Sequence, residues 1–580
     1  MQIIEEVKYL DKFFHEEHIE TSDGIKHNAA SVIKMADHYS ESLYLGDQTD
    51  SLGRLKPFYN IVNFRVTLAK VATDLDLKDI QIEPTDADDT IRALLLKKKG
   101  FKWAKTTKYS QGLNERGYHR AKYGLAVAKK RIEGGELYID TVNVNNLVFD
   151  PADFEGGVKI EKHYMTPVQL QAKEGVWENV DYVLEEEAKK KEKEGDKQFT
   201  VDRIEVWEVT GQFPKLCMQE ACNEEMTADY YRHTMQRYFI AIDCEEVMYC
   251  EDDAEDPYRA LPWEPVANRA LGRGVIEESK QAQMWTNDAV ISEKNAMDIS
   301  TKIAMKTNST NIGDNVLTMD NGKVFELDDN EDINPINFTA AGLGQIDNVI
   351  ARWDQSASRN NSSVGPQIGE RTPANTTYSE TALLNEVSSR PFDYRRNEAI
   401  AFEVGLWEEW VIPHLVKGLE KDGILASNYT AKELEVIDGA FGNVITSEYV
   451  AEQVKQGLPV DVNRMEALRR DAIKELQSTG ERRYLPIPKG YFKGIETDVN
   501  FVTNDLRNKQ AALASLSSVM RDVSNTYNPQ TGTFAMLEDP TLREIFGEIL
   551  EVAQLPISSA AILGAEPTPR PQPVTPVPNA

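Results

Sequence analysis

The chain has 580 residues, 28% of them charged and 41% hydrophobic, which fits a water-soluble globular protein with length for roughly four domains. Its formal net charge of −30 runs against the Lys and Arg surplus by which proteins usually hold nucleic acid. No run of eighteen apolar residues occurs, since Glu403, Glu408 and Glu409 interrupt even the richest stretch, so a membrane-spanning helix is excluded.

The first residues, Met1-Gln2-Ile3-Ile4-Glu5-Glu6-Val7, have neither the basic nor the apolar region of a secretory signal. Residues 4–19 predict an amphipathic helix with Val7, Leu10, Phe13 and Phe14 on one side. His15 and His18 sit near its end at a spacing metals use, though helix-end surface positions account for them more simply. A second helix covers 29–44. The turn Tyr44-Leu45-Gly46-Asp47-Gln48, a helix from near Asn60 and a strand Ile80-Gln81-Ile82-Glu83-Pro84 come next.

Lys97, Lys98 and Lys99 with Phe101, Lys102, Trp103 and Lys105 form the basic-aromatic cluster of this half. Charge plus stacking would suit nucleic acid. A helix end capped by Gly100, with lysines at the negative end of the dipole, is the simpler expectation. Residues 117–129 read as helix and then buried strand, followed by short strands at 137–142 and 147–151. Asp140 and Asp150 lack the His, third carboxylate or glycine-rich loop that acid-base or metal chemistry would need, and read as strand-end and turn residues.

Glu185-Glu186-Glu187 before Lys189-Lys190-Lys191 predicts a solvated helix face. Strands are expected at 201–209 and 238–249, the latter a hairpin turning near Asp243-Cys244-Glu245. Cys217, Cys222, Cys244 and Cys250 miss the two-residue spacing of a zinc knuckle and read as reduced thiols. The acidic run 251–256 lacks an EF-hand's ligand order and reads as a linker.

From Val275 to Met305, Ala282, Trp285, Ala289, Ala296, Ile299 and Ile303 recur three or four apart. They predict a helix about 46 Å long at 1.5 Å per residue. In Val316 to Leu327, Asn321-Gly322 between two β-prone runs predicts a hairpin, because both turn residues need φ > 0. Ile346, Val349, Ile350, Trp353 and Ala357 mark a second amphipathic helix ending at Asn360-Asn361. Residues 364–377 hold Gly365, Pro366, Gly369 and Pro373, the composition of a mobile loop. Thr377 with Glu380 fits a capping box opening a long helix, kinked at Pro391, that runs to Ile412-Pro413. Helices are expected at 430–438, 447–456, 462–477, 506–521 and 542–553, an extended run at 484–488, and a disordered polyproline tail at 565–580.

Helix, hairpin, returning helix, loop and long helix, in that order, resemble portal (head-tail connector) proteins of tailed double-stranded DNA phages, most of all those of short-tailed phages. Gly272-Arg273-Gly274-Val275-Ile276-Glu277 running into Gln281 and Asn287 is similar to the start of that family's stem. Leu406-Trp407-Glu408-Glu409-Trp410-Val411-Ile412-Pro413-His414-Leu415-Val416 is similar to the end of its long helix. The Tyr44-x-Gly46-x-Gln48 turn, the strand ending at Pro84 and the Asp150-Pro151 corner resemble its wing.

The resemblance implies an α+β, multidomain portal-type subunit: wing 1–274, stem helix 275–305, clip with β-hairpin 306–338, stem helix 339–361, tunnel loop 362–377, long kinked helix and remaining wing 378–504, crown 505–564 and tail 565–580. It implies a structural protein without catalytic residues, cofactor or metal. Its copies would form a homo-oligomeric ring, usually of twelve, at one capsid vertex of the virion, assembled in the host cytoplasm. Its implied partners are the major capsid protein and scaffold, the terminase large subunit, head-completion, adaptor and tail proteins, and double-stranded DNA passing through the axis during packaging and ejection. An acidic wall would suit such a passage, because phosphate contacts that gripped the duplex would act as brakes.

Channel residues would be Gly365, Gln367, Glu370, Arg371, Thr372 and Asn375, with Arg371 the loop's sole cation and Arg359 a further one at the stem's end. Partner docking would fall to the clip residues Met319, Asp320, Asn321, Gly322 and Lys323.

Enzymatic signatures are missing: there is no P-loop, no Gly-x-Ser-x-Gly elbow, no His-Glu-x-x-His and no Gly-x-Gly-x-x-Gly. The alternative is a metal-dependent nucleic-acid-processing enzyme using Asp140, Asp150 or the 251–256 acids. A major capsid or scaffold protein is a third reading, which the stem-clip-stem order disfavours.

Overall fold

A computed structural model describes residues 2–21, 24–50, 53–77, 80–84, 89–194, 203–222, 229–300, 304–307, 333–336, 343–361, 378–422, 424–428, 431–455, 459, 461–478, 482–486, 491–492, 497–501, 527–528 and 533–534. They fall into two units, 1–77 with 82–500 and 78–81 with 501–580. In the second unit Tyr527–Asn528 and Thr533–Phe534 pair as a short antiparallel hairpin. All that follows concerns the first, which is α+β.

The amino-terminal helix Gln2–Glu16 buries Ile3, Val7 and Phe14 and packs on helix Ala29–Ser40. Asn28 caps the latter by accepting a 2.7 Å bond from the Ser31 amide. That helix stops four residues short of its expected end. The chain then turns at Tyr44, where the Gln48 side chain accepts from the Tyr44 amide (3.0 Å) and donates to its carbonyl (2.7 Å). The Tyr-x-Gly-x-Gln pattern is thus a side-chain-closed turn, tied down by the Tyr44 hydroxyl on the Pro57 carbonyl at 2.6 Å.

Helices Thr90–Thr106 and Tyr109–Tyr123 lead into strand Leu125–Glu133, which pairs with Glu136–Thr141 across a Gly134-Gly135 turn and with Tyr258–Pro262 on its other side. Both turn glycines have positive φ. Gly100 lies inside the Thr90–Thr106 helix rather than capping it, as the sequence had suggested. The reason is packing: Trp407 lies on it, 3.1 Å from where a Cβ would stand.

A five-stranded antiparallel sheet runs in the order Glu246–Glu251, His233–Ala241, Ile204–Pro214, Lys159–Met165, Leu147–Phe149. The expected hairpin at Asp243-Cys244-Glu245 is present, with Glu245 left-handed at φ 54°. Helix Val180–Glu194 is studded with Lys189–Glu186 and Lys190–Glu187 pairs. Cys222 and Cys250 are neighbours in the fold, their Cα atoms 6.7 Å apart, while Cys217 and Cys244 stand apart as free thiols.

The junction into the long helices rests on three glycines. Gly124, at φ +88°, crosses Gly272 and Gly274 so closely that a Cβ on Gly272 would stand 2.5 Å from the Gly124 carbonyl oxygen, and one on Gly274 2.6 Å from the Gly124 nitrogen. Only residues without a Cβ allow that approach.

From there helix Val275–Ser300 runs out, strands Ala304–Thr307 and Ile333–Ile336 pair antiparallel, and helix Leu343–Asn360 returns along the first. Helix Tyr378–Leu406 contains Pro391 without ending there, as expected. It does not stop at Ile412-Pro413. A π-helical turn, Trp407–Val411, connects it to helix Ile412–Asp422, in whose first turn Pro413 needs no amide partner. Ala431–Lys455 is one helix where two were expected, and Arg482–Pro486 pairs with Ile424–Asn428.

Candidate functional site

The outgoing and returning helices are antiparallel neighbours, as two contacts fix. The Asn361 amide donates to the Ser279 hydroxyl at 2.5 Å near one end. Further along, Trp285 and Trp353 stack with centroids 5.9 Å apart and planes within 4°. Ala282 and Ala357 are buried between them, small residues that let the backbones approach.

Two buried amides clamp this pair to the rest of the unit. Gln283 accepts from the Ile61 amide at 2.9 Å and donates to the Tyr59 carbonyl at 2.7 Å; Asn287 accepts from the Tyr59 amide at 3.1 Å. Asn287 was singled out in the sequence, but its working companion is Gln283, whereas Gln281 is exposed. Arg65, buried on helix Val62–Ala72, reaches the returning helix through Asp354 and Ser358, each at 2.8 Å. The outgoing helix is tied down as far as Asp298, which Arg54 meets at 2.8 Å, yet the pair keeps apolar side chains exposed: Met284 at 47%, Trp285 at 54% and Val349 at 38%.

The expected hairpin residues Met319, Asp320, Asn321, Gly322 and Lys323 and the expected loop residues Gly365, Gln367, Glu370, Arg371, Thr372 and Asn375 lie outside the described residues. Arg359 is exposed in the last turn of the returning helix.

The acidic candidates are dispersed. Asp140 pairs with Arg131, and Asp150 caps its own turn by accepting from the Ala152 amide at 2.8 Å. Glu255 meets Lys130, Asp256 meets Lys159, and Asp252 faces Lys215. His15 accompanies Asp11 one helical turn back, on the surface.

One cluster escaped sequence reading. Glu161 and Glu208 stand directly opposite in the register of two sheet strands, an arrangement that repels unless compensated. Lys129 fills the gap, 2.5 Å from each carboxylate. His163 lies 2.9 Å from Glu208, and Arg237 donates to it at 2.6 and 3.0 Å. Burial works to raise the Glu208 carboxyl, but Lys129, His163 and Arg237 outweigh it and hold it well below the usual carboxylate range. Glu161, His163 and Glu208 are the described residues whose ligand atoms lie close enough to hold a metal, within 4.8 Å. The Lys129 ammonium occupies the position a cation would take, so the group is a charge network that joins the two sheets. Alternation of Glu161 and His163 along one strand was the available signal; their partners come from distant strands.

No known family matches the sequence, and no curated protein matches it. Among solved structures, the virion of a native gene transfer agent particle is similar at 10% identity, TM-score 0.33, covering 77% of this chain and 96% of that one. The neck of an empty gene transfer agent particle is similar at 10% identity, TM-score 0.35, covering 77% and 97%. No helix among the described residues is long and apolar enough to cross a membrane.

Proposed function

We propose that this chain is the subunit of a portal-type ring: a non-enzymatic, homo-oligomeric channel of about twelve copies at one capsid vertex. Double-stranded DNA passes through it during packaging and ejection. It nucleates capsid assembly with capsid and scaffold proteins, and docks a terminase and later adaptor and tail proteins. The hairpin around Asn321-Gly322 serves as the docking tip, and Gly365, Gln367, Glu370, Arg371, Thr372 and Asn375 face the channel.

The observation that carries this reading is the pair of antiparallel helices, Val275–Ser300 and Leu343–Asn360. They start from a glycine crossing, run antiparallel to each other, and keep Met284, Trp285 and Val349 exposed. Apolar side chains left in solvent along a pair of helices call for a further surface. Identical neighbours in a closed ring supply one to every copy.

Native mass measurement and electron microscopy of the full chain, alone and co-expressed with its capsid proteins, test this. Rings with a central hole are expected. Met284→Glu combined with Val349→Glu should release folded single subunits with unchanged circular dichroism. Monomers or dimers under both conditions would overturn the proposal.

A further inference from the structure

The cluster Lys97 to Lys105 takes on a different meaning once folded. Lys99 and Lys102 from helix Thr90–Thr106, Lys130 from strand Leu125–Glu133, and His414, Lys417 and Lys421 from helix Ile412–Asp422 line one cleft of about 620 Å³. This happens in a chain with 95 acidic residues against 65 basic ones. Gathering like charges from three elements costs repulsion unless an anion answers them.

The protein's own acids answer only in part. Glu409, at the cleft wall, is bound by Arg259. Glu136 stands 3.7 Å from His414, and Lys130 pairs with Glu255, which is mostly in solvent. Lys102, Lys417 and Lys421 are exposed; Glu255 also feels the charge of Lys417, but among the described residues no carboxylate comes within ion-pair distance of any of the three. The Lys99 stem lies 3.9 Å from the Cβ position of Gly418, so the two helices bring their lysines side by side.

The cleft's aromatics are already committed. Trp103 and Trp410 are each 4% exposed. The Trp103 indole donates to the Leu137 carbonyl at 2.9 Å, and Arg259 covers Trp410. They offer neither a stacking platform for unpaired bases nor an apolar slot for an acidic amphipathic peptide. No arginine lines the cleft, so the forked contacts that read base edges or single carboxylates are missing there. What remains is a group of ammonium point charges, which attract phosphates without reading bases.

We propose that this cleft docks the phosphate backbone of double-stranded nucleic acid without regard to sequence. The cleft belongs to a single subunit, so the inference goes beyond the ring reading and does not depend on it.

The test is fluorescence anisotropy of a short labelled DNA duplex with the full chain, between roughly 50 and 200 mM salt. It compares wild type with the Lys102→Gln, Lys417→Gln, Lys421→Gln triple variant. A second triple variant at solvent-facing lysines elsewhere, Lys12→Gln, Lys189→Gln, Lys190→Gln, serves as control. Salt-dependent binding is expected. The cleft variant should bind at least about tenfold more weakly at the lowest salt, with the slope of log K against log salt reduced by roughly 2 to 3. The control variant should bind as wild type does. Absence of binding by wild type, or equal loss in both variants, would overturn the proposal. Displacement by poly-glutamate at the same charge concentration would also do so, in favour of an acidic peptide. Because the ring is scored by mass and the cleft by this difference, the two ideas fail separately.

Discussion

Arg116 and Glu403, 287 positions apart in sequence, meet through two parallel bonds of 2.7 and 2.8 Å where neither side chain is more than 5% exposed. The Tyr109 hydroxyl donates to the same carboxylate. This bidentate contact ties helix Tyr378–Leu406 to helix Tyr109–Tyr123, and so fixes the path of the chain after the returning helix. Glu403→Gln keeps the shape and leaves Arg116 charged without a counter-ion. It should lower stability by about 3–5 kcal/mol, read as a fall in the thermal midpoint. Adding Arg116→Met to that variant removes the stranded charge and should restore most of the loss. An unshifted midpoint for Glu403→Gln would contradict the pairing.

The glycine crossing makes a sharper demand. A methyl group at Gly124 would press on the Gly272 carbonyl, and one at Gly272 on the Gly124 carbonyl; both obstacles are backbone, which cannot rotate away. Gly124→Ala also places alanine at φ +88°. Each substitution should cost about 3 kcal/mol or more and reduce the yield of soluble chain. Gly46→Ala, whose Cβ meets nothing within 4 Å, should change stability by less than about 0.5 kcal/mol.

Gly100 sets two effects against each other. Alanine gains about 1 kcal/mol of helix propensity, but its Cβ would lie 3.1 Å from Trp407 and 3.4 Å from Leu415. Overpacking a buried site costs about 1–3 kcal/mol. The indole is held edge-on between Trp103 and Tyr109, with centroids 5.6 and 5.8 Å away, so it has little room to yield. Gly100→Ala should therefore be destabilising on balance, and Gly100→Val more so. A raised midpoint for the alanine variant would show that Trp407 moves.

Local order was legible in the sequence where one element carries its own signal. The stripe through Ala282 and Trp285 gave the outgoing helix, ending five residues early, and Tyr44, Gly46 and Gln48 gave a turn whose closure is internal to those residues. What could not be read is whatever depends on a distant partner. Gly100 resembles a helix cap until Trp407 is placed upon it. Glu161 and Glu208 look like ordinary strand acids until Lys129 arrives from another sheet. The helix beyond Pro413 was missed because Ile412-Pro413 reads as the end of the long helix, whereas Pro413 sits in the first turn of a helix that a π-helical turn joins to the one before.

A buried histidine and a half-buried glutamate give the unit opposing pH responses. His27 is 7% exposed, and its Nε2 has no hydrogen-bond partner. Burial, then the charge of Arg269, push its pKa down to about 4. Protonation therefore favours the unfolded chain, so the contribution is intact above the ordinary histidine value near 6.5 and is lost as pH falls toward 4. Its full extent is on the order of 3 kcal/mol. Glu278, in the first turn of helix Val275–Ser300, is pushed up to about 7 by burial, with Glu264 adding to the rise against Arg395 and Arg273. Its protonated form is the one the fold prefers, so its contribution is present below the ordinary value and is lost as pH rises toward 7. Thermal midpoints measured from pH 4 to 8 should separate them. His27→Gln should flatten the acid side of the profile, and Glu278→Gln should raise the midpoint at pH 7 and above relative to wild type. Parallel profiles for either variant and wild type would mean that the group does not titrate differently on unfolding.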